Sequence, residues 1–287
     1  MWKKRLCGIL CLILFLSLPC AAYADVGPKP SVRITFSGDM GEPYYGTLLS
    51  QTRSTGPSSA WDGITEYSRE DAEQYAIWQK FVAYEDADGF YFLQEWWDCS
   101  ENHQLNWTYY PPSVFKILLY FPERDAFYVS PVYERYAFDS YYTATLFAAE
   151  DGMLTAEPSY DYTWETVSLL VRILLTILLE LAVAWIFGYR EKRLLQFLTA
   201  VNVATQVLLN LLLNVINYQQ GPMAFVLFYV LLELVVFAAE AVLYAWLLPY
   251  YSAKPQTKGK AVGYALLANM VSFAGGLWLA HFIPGIF

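Results

Sequence analysis

The sequence predicts an α+β domain, an antiparallel sheet with one helix, followed by an all-α bundle of four transmembrane helices. Residues from 164 onward contain four long apolar segments joined by short polar connections, the pattern of membrane-spanning helices. The preceding residues alternate apolar and polar side chains over short stretches and carry most of the acidic residues, which is typical of a folded domain in water. The 287-residue chain is 56% hydrophobic and 18% aromatic, which suits a membrane protein with an appended soluble domain.

Residues 1–24 have the three parts of a secretory signal peptide. Basic residues at 3–5 precede an apolar run at 6–18, and Ala22-Tyr23-Ala24 provides small residues for cleavage before residue 25. Two alternatives stay open. The segment could remain as an uncleaved anchor helix, or it could be a lipoprotein signal, although proline precedes Cys20 where a small residue is expected.

Cleavage would leave Cys99 as the sole cysteine, because Cys7, Cys11 and Cys20 lie in the signal peptide. We therefore expect no intramolecular disulfide in the exported domain, residues 25–163. This domain carries 22 acidic and 8 basic residues. Such a negative surface repels nucleic acid, so the sequence predicts no nucleic-acid partner.

Short periodic stretches predict the elements of the exported domain. Ser68 and Asp71 form a capping-box pattern ahead of apolar residues at helical spacing, which predicts a helix over 69–84. Glycine, proline, serine and threonine between 51 and 63 indicate a loop. The predicted strands cover residues 32–36, 44–50, 90–97, 114–121, 127–136 and 141–148.

Two patterns in this domain suggest metal sites without completing one. Asp86-Ala87-Asp88-Gly89 with Glu95 fits part of an EF-hand frame, but Tyr84 occupies the first ligand position, so a turn is expected instead. Cys99 and His103 have zinc-ligand spacing, yet no second pair follows. The sequence therefore predicts no metal and no cofactor. The many aromatic side chains suit either a core or a platform for sugars or lipid headgroups.

No catalytic motif is present in the sequence. It contains neither a nucleophile elbow, nor a phosphate-binding loop, nor a metalloprotease helix motif. The two histidines, His103 and His281, lie far apart along the chain. We therefore expect a protein that is not an enzyme and has no catalytic residues.

The four apolar segments define a transmembrane domain over residues 164–287. Basic residues occur in the first and third connections, 188–193 and 249–260, whereas the second connection has none. Positively charged loops stay in the cytoplasm, which places residues 25–163 and the C-terminus outside the cell. The signal peptide independently requires the same orientation, so a multi-pass cell-membrane protein is predicted. The four spans are residues 164–187, 194–216, 223–248 and 261–283.

Six polar residues inside these segments form the candidate site. At about 1.5 Å per residue, one level of the bundle holds two carboxylates and an amide, and a second level holds a carboxylate, an amide and an arginine. Three carboxylates therefore face one arginine, and the surplus acids must be protonated, hydrated or bound to a cation. Interhelical hydrogen bonding remains the alternative role for these groups. The first level comprises Glu180, Glu240 and Asn202, and the second comprises Glu233, Gln206 and Arg172.

Three stretches of the transmembrane domain carry a resemblance. The run Leu179-Glu180-Leu181, residues 202–217 and residues 233–244 resemble uncharacterised membrane proteins of Gram-positive bacteria, which have a signal peptide, an exported N-terminal domain and a C-terminal four-helix transmembrane bundle. The resemblance implies this architecture and implies no activity.

Three functions are consistent with these observations. The first is a non-enzymatic cell-surface protein that senses or binds an unknown extracellular ligand or protein. The alternative is a small proton- or cation-coupled transporter or channel component that uses the buried carboxylates. The third is an intramembrane hydrolase, which is disfavoured because the bundle lacks paired glutamate and histidine on its helices. The lipid bilayer is a partner in every case.

Overall fold

The computed structural model describes residues 27–38, 41–64, 71–145 and 154–282, so the predicted signal peptide lies outside the described residues. A β-rich N-terminal domain, here called the head, precedes four long helices. The strands of the head are β1 (Ser31–Ser37), β2 (Tyr45–Ser50), β3 (Ser54–Thr55), β4 (Ser58–Ser59), β5 (Tyr91–Phe92), β6 (Trp97–Asp98), β7 (Gln104–Trp107), β8 (Val114–Phe121), β9 (Ala126–Val129), β10 (Tyr133–Glu134), β11 (Asp139–Thr145) and β12 (Thr155–Pro158).

The head contains two main sheets rather than the single antiparallel sheet that the sequence predicts. The first has the order β12-β11-β1-β7, and β1 runs parallel to β11. The second has the order β10-β8-β2-β5, with β6 also pairing with β2 and β9 with β8, and all its pairs are antiparallel. The local apolar pattern of a strand does not specify its partner or the direction of pairing, which is why this prediction was wrong in part.

The second sheet is the middle layer of the head, which explains why β2 and β8 are buried on both faces. Leu48 and Ile117 pack in one cluster with Ile34 of the first sheet. Leu49 and Leu118 face the other way and pack against the head helix, α1 (Ala72–Ala83). The head is therefore a stack of two sheets and one helix, with an apolar core on each side of the middle sheet.

The boundaries of several head elements differ from the prediction. Asp71 caps α1 by accepting a hydrogen bond from the Glu73 N–H at 2.9 Å, whereas Ser68 lies outside the described residues. The predicted strand at 90–97 is divided into β5 and β6, because Gln94 between them adopts a φ of +64°. The predicted strand at 141–148 begins earlier, as β11, and its last residues lie outside the description. Strands β3, β4, β7 and β12 were not predicted, and β3 and β4 lie within the stretch predicted as a loop.

Four helices follow the head: α2 (Thr163–Ile186), α3 (Lys192–Gln220), α4 (Pro222–Tyr251) and α5 (Lys258–Phe282). Three of them, α2, α3 and α4, are long and apolar enough to cross a membrane. The sequence predicts four spans, and α5, with 25 residues, packs against α2 and α4. Each of the four helices differs from its predicted segment by between one and four residues at either end.

The head rests on the connection between α3 and α4. The Phe138 N–H donates a hydrogen bond of 2.8 Å to the Tyr218 carbonyl oxygen, and the Tyr160 and Tyr218 rings lie 5.4 Å apart. Gly221 between the two helices has a φ of +84°, and a Cβ at this position would lie 2.7 Å from the Phe138 ring. Glycine is therefore required here by both the backbone and the packing.

The opposite end of the helices holds the two basic connections. The Glu191 carboxylate, just before α3, accepts hydrogen bonds from Ser252 Oγ at 3.2 Å and from the Ala253 N–H at 2.7 Å, just after α4. These contacts tie the first connection to the third. The head and the basic loops consequently lie at opposite ends of the helices.

Candidate functional site

A fully buried group of polar side chains lies where the four long helices meet. Glu180 comes from α2 and Glu240 from α4, and both have no exposed surface. One oxygen of Glu240, Oε1, accepts a hydrogen bond from Thr205 Oγ1 of α3 at 2.7 Å. The other, Oε2, accepts one from Asn269 Nδ2 of α5 at 2.7 Å. Each helix therefore contributes at least one polar group to this carboxyl pair.

Glu180 contrasts with Glu240 in its hydrogen bonding. Both of its carboxyl oxygens are buried and have no hydrogen-bond partner among the described residues. The Glu240 and Glu233 carboxyls repel a negative charge on it, whereas the Asn202 and Ser272 side chains lie near enough to stabilise one without reaching hydrogen-bond geometry. A bare carboxylate in this position would cost several kcal/mol or more. This carboxyl is therefore suited to carry or share a proton.

Two amides next to the carboxyl pair are also incompletely hydrogen bonded. Asn202 Oδ1 accepts a hydrogen bond from the Tyr244 hydroxyl at 3.1 Å, but its Nδ2 has no partner in the described part of the chain. Asn269 Oδ1 is likewise buried without a partner there. Buried polar atoms are nearly always paired in folded proteins, so these atoms need partners that the described side chains do not supply, such as water, a proton or an ion.

The remaining predicted site residues lie around a second, smaller space in the bundle. Arg172, Gln206 and Glu233 line a cavity of about 20 Å³, which is room for one water molecule. Arg172 donates a hydrogen bond of 2.8 Å to Ser168 Oγ. Tyr229 interacts with both the Arg172 guanidinium and the Glu233 carboxyl. The structure thus places the six predicted residues in the same two groups as the depth argument does.

No family model, no curated protein and no solved structure matches this chain.

Sequence reasoning missed Thr205 and Tyr264. The Tyr264 hydroxyl donates to the Glu180 backbone carbonyl at 3.4 Å. Thr205 is next to Gln206 in the sequence, but on the helix it is turned by about 100° from it, toward Glu240. The four-residue spacing of the amides identifies residues on one face of α3 only, and Thr205 does not lie on that face. A search for hydroxyls beside that face would have found Thr205.

The two metal patterns of the head have structural roles. Asp86 and Asp88 hold the ammonium group of Lys116, with oxygen to nitrogen distances of 2.9 and 2.6 Å. His103 Nδ1 is hydrogen bonded to the Tyr44 hydroxyl at 2.7 Å. Cys99 is buried, and its burial, together with the nearby Asp98 carboxylate, raises the pKa of its thiol to about 12. Within the described ranges, no three His, Cys, Asp or Glu side chains are grouped to hold a metal ion.

The head also has one open pocket with mixed chemistry. It has a volume of about 400 Å³ and combines aromatic rings with charged groups. The Arg53 guanidinium lies 5.3 Å from the centre of the Tyr91 ring at its edge. Trp61, Tyr84 and Glu85 are among the other polar and aromatic residues that line it. Such a pocket can bind a small polar ligand by stacking and charge pairing.

Proposed function

We propose that this chain is a multi-pass cell-membrane protein in which the Glu180–Glu240 pair binds and releases a proton, as part of a small proton-coupled transporter or channel component. No catalysed reaction is involved. The observation that carries the proposal is the complete burial of Glu180 with both carboxyl oxygens unpaired. A proton on either carboxyl would remove the repulsion between two carboxylates, and its release would change the charge at the centre of the bundle.

The membrane arrangement in this proposal has four spans, with the head outside the cell and the basic loops in the cytoplasm. The fourth span is α5, which has sufficient length for a bilayer and packs against α2 and α4. The basic loops lie at the end of the helices opposite the head, which agrees with the rule that positive loops stay inside. The predicted signal peptide and the resemblance to Gram-positive membrane proteins agree with the same arrangement.

Interhelical hydrogen bonding explains Glu240 but not Glu180. A carboxyl that serves only to join helices should have partners for its oxygens, as Glu240 has in Thr205 and Asn269. Glu180 has none among the described residues, although Asn202 and Ser272 lie beside it. A buried carboxyl without hydrogen-bond partners contributes little to holding helices together, so protonation explains its presence better than a structural contact does.

The test uses full-length protein reconstituted in liposomes. We expect infrared difference spectra between about pH 5 and about pH 9 to show a protonated-carboxyl band that is absent from the Glu180→Gln and Glu240→Gln variants. Glu240→Gln should fold, because the Asn269 amide can rotate to present Oδ1 to the new amide. Glu180→Gln should fold because it replaces a buried carboxyl whose oxygens have no hydrogen-bond partner among the described residues. Glu123→Gln, on the exposed turn between β8 and β9, is the matched control and should keep the band.

Proton-driven flux gives the functional half of the same test. A proton gradient across the liposome membrane should drive dye-reported proton uptake by the wild type and by Glu123→Gln, and not by Glu180→Gln. Flux that persists in Glu180→Gln would contradict the proposal. If the carboxyl signal instead responds to sodium ions and not to pH, the bound species is a cation rather than a proton.

A second candidate function is a non-enzymatic cell-surface binding or sensing protein, and the open pocket of the head favours it. The stacked Arg53 and Tyr91 beside Trp61 and Glu85 can recognise a ligand with both a flat and a charged part. Binding of a soluble glycan or peptide to the intact protein, lost in Arg53→Gln and kept in Arg124→Gln, would support this function.

A further inference from the structure

The two halves of the helix bundle differ in what they place next to the Glu180–Glu240 pair. Toward the basic loops, the pair is followed by a buried apolar cluster, in which a proton would have few groups to carry it. Two tyrosines of this cluster lie near the pair, but Tyr244 donates its hydroxyl hydrogen to Asn202 and Tyr264 donates its own to a backbone carbonyl oxygen. The cluster includes Val183, Ala184, Leu194, Leu198, Leu248 and Ala265.

The half of the bundle that faces the head is polar instead. The water-sized cavity of about 20 Å³ lies on this side, because Thr176, which lines it, is four residues before Glu180 and so about 6 Å nearer the head. Ser272 also lines the cavity, and its side chain lies beside the Glu180 carboxyl. Ser272 therefore adjoins both the cavity and the unpaired oxygens of Glu180.

Glu233 is the only carboxyl among the described residues that line this cavity. It is seven residues from Glu240, about 10 Å nearer the head, and the charge on Glu240 acts on it. It is hydrogen bonded to Tyr229, and a carboxyl with one such bond can still bind and release a proton.

The charged and titratable groups that face Glu233 come from two helices. Helix α2 contributes Arg172, which shares the cavity, and Glu180, whereas α4 contributes Tyr229 and Glu240. The polar groups that α3 and α5 add to the cavity are uncharged amides and a hydroxyl. Arg172 donates a hydrogen bond of 2.8 Å to Ser168, which continues the polar series toward the head.

We propose that Glu233 is a proton relay through which the Glu180–Glu240 pair exchanges protons with the head side of the membrane. This inference rests on the proposed function of the pair. Protonated Glu233 gives its proton to a water molecule in the cavity, and that water gives one of its own protons to Ser272 Oγ. The Ser272 hydroxyl, which donates to the Asn269 carbonyl oxygen at 3.1 Å, rotates and passes its original hydrogen to a Glu180 oxygen. One O–H bond breaks at Glu233 and one forms at Glu180, and Glu233 takes its next proton from the head side.

The test follows the rate at which the pair is protonated in full-length protein in lipid nanodiscs, where both sides meet solvent. After a rapid drop from about pH 9 to about pH 5, time-resolved infrared spectra record the rise of the carboxyl band that Glu180→Gln removes. We expect Glu233→Gln to slow this rise by at least about tenfold without lowering its final height, and Glu233→Asp to restore most of the rate. Tyr264→Phe, which removes a hydroxyl near Glu180 on the loop side, is the matched control and should keep the wild-type rate.

A second measurement needs no variant, so it remains valid even if a substitution disturbs folding. In liposomes, an external drop in pH should protonate the pair at least about tenfold faster when the heads face outward than when they face inward. Equal rates in the two orientations, or a wild-type rate in Glu233→Gln, would overturn the relay while the band of the pair still supports the proposed function. A wild-type protein without that band would overturn both.

Discussion

Lys116 is a buried cation in the head, held by one buried and one exposed carboxylate. The exposed fractions of the side chains are 6% for Lys116, 1% for Asp86 and 67% for Asp88. Asp86 also accepts hydrogen bonds from the N–H groups of Asp88 and Phe90, which fixes the turn after α1. The Asp-x-Asp pattern, which in the sequence suggests calcium, therefore binds a lysine. That lysine, Lys116, belongs to strand β8 and lies 28 residues after Asp88.

Substitution of Lys116 tests this role. Lys116→Met leaves Asp86 buried without its cation, and we expect the head to lose roughly 3 kcal/mol of unfolding free energy, the lower end of the range for buried pairs because Asp88 is exposed. Urea-dependent pulse proteolysis of the full-length protein measures the change. The double variant with Asp86→Asn should recover part of the loss, and a double variant as unstable as Lys116→Met would contradict this explanation.

Two buried tyrosines of the head make its stability depend on pH in the alkaline range. Burial raises the pKa of Tyr142 to about 12, and burial together with a hydrogen bond to Asp125 raises the pKa of Tyr120 to about 12. In the unfolded chain both pKa values are about 10. The folded form therefore holds its protons more tightly, so the stabilisation is complete below about pH 10 and is lost as the pH rises toward about 12.

The predicted pH profile is therefore flat up to about pH 10 and falls above it. Burial lowers the pKa of Lys116, but its hydrogen bonds to Asp88 and Asp86 outweigh this and raise it, which adds to the alkaline loss. The same proteolysis assay measures the profile. Tyr120→Phe should make the fall shallower, and a fall that begins well below about pH 9 would show that other groups control it.

At the scale of elements, helix α1 stabilises the outer face of the middle sheet through a few large side chains. Phe81 is fully buried and its ring lies 5.2 Å from the Phe92 ring and 6.1 Å from the Tyr120 ring. Trp78 packs in the same cluster. We expect Phe81→Ala to cost about 3–5 kcal/mol. The exposed Gln79→Ala on the same helix is the control, and thermal unfolding of the head should separate the two variants.

The sequence predicts the helices better than the strands, for a physical reason. A helix is encoded within one stretch, so the periodic apolar runs at α2, α3 and α4 are sufficient to find them. A strand is stable only with a partner, and the partner of the short strand β7 is β1, which is distant in sequence. Strand β12 pairs with the neighbouring β11, but it has only four residues, of which one is buried, so its own pattern is too short to predict it. The sequence of β1 or of β11 alone does not indicate that the two strands pair in parallel.

The same distinction applies to the candidate site. Glu180 and Glu240 are predictable because an acid in an apolar helix is costly anywhere but in the interior. Whether such an acid finds partners is decided by the other helices, which place Thr205 and Asn269 at Glu240 and leave the oxygens of Glu180 unpaired. No pattern within α2 or α4 distinguishes the two glutamates.

For the whole molecule, the proposed orientation can be tested with single cysteines. Cys99 is buried with a thiol pKa of about 12, so it should not react with maleimides. Glu157→Cys in the head should react with a membrane-impermeant maleimide on intact cells, whereas Lys254→Cys in a basic loop should react only after the cells are permeabilised. Labelling of Lys254→Cys on intact cells would show that this basic loop lies outside the cell, which contradicts the proposed orientation.

The central position of β1 in its sheet determines when the head can complete its fold. Its partner β11 begins at Asp139, about a hundred residues later, and at typical rates of synthesis this interval lasts about 5–20 s. During that time the edge of β1 that β11 will cover, and the apolar side chains beneath it, have no native partner. The newly made N-terminus therefore needs protection from aggregation, and loss of a chaperone that binds extended apolar chains should reduce the yield of this protein.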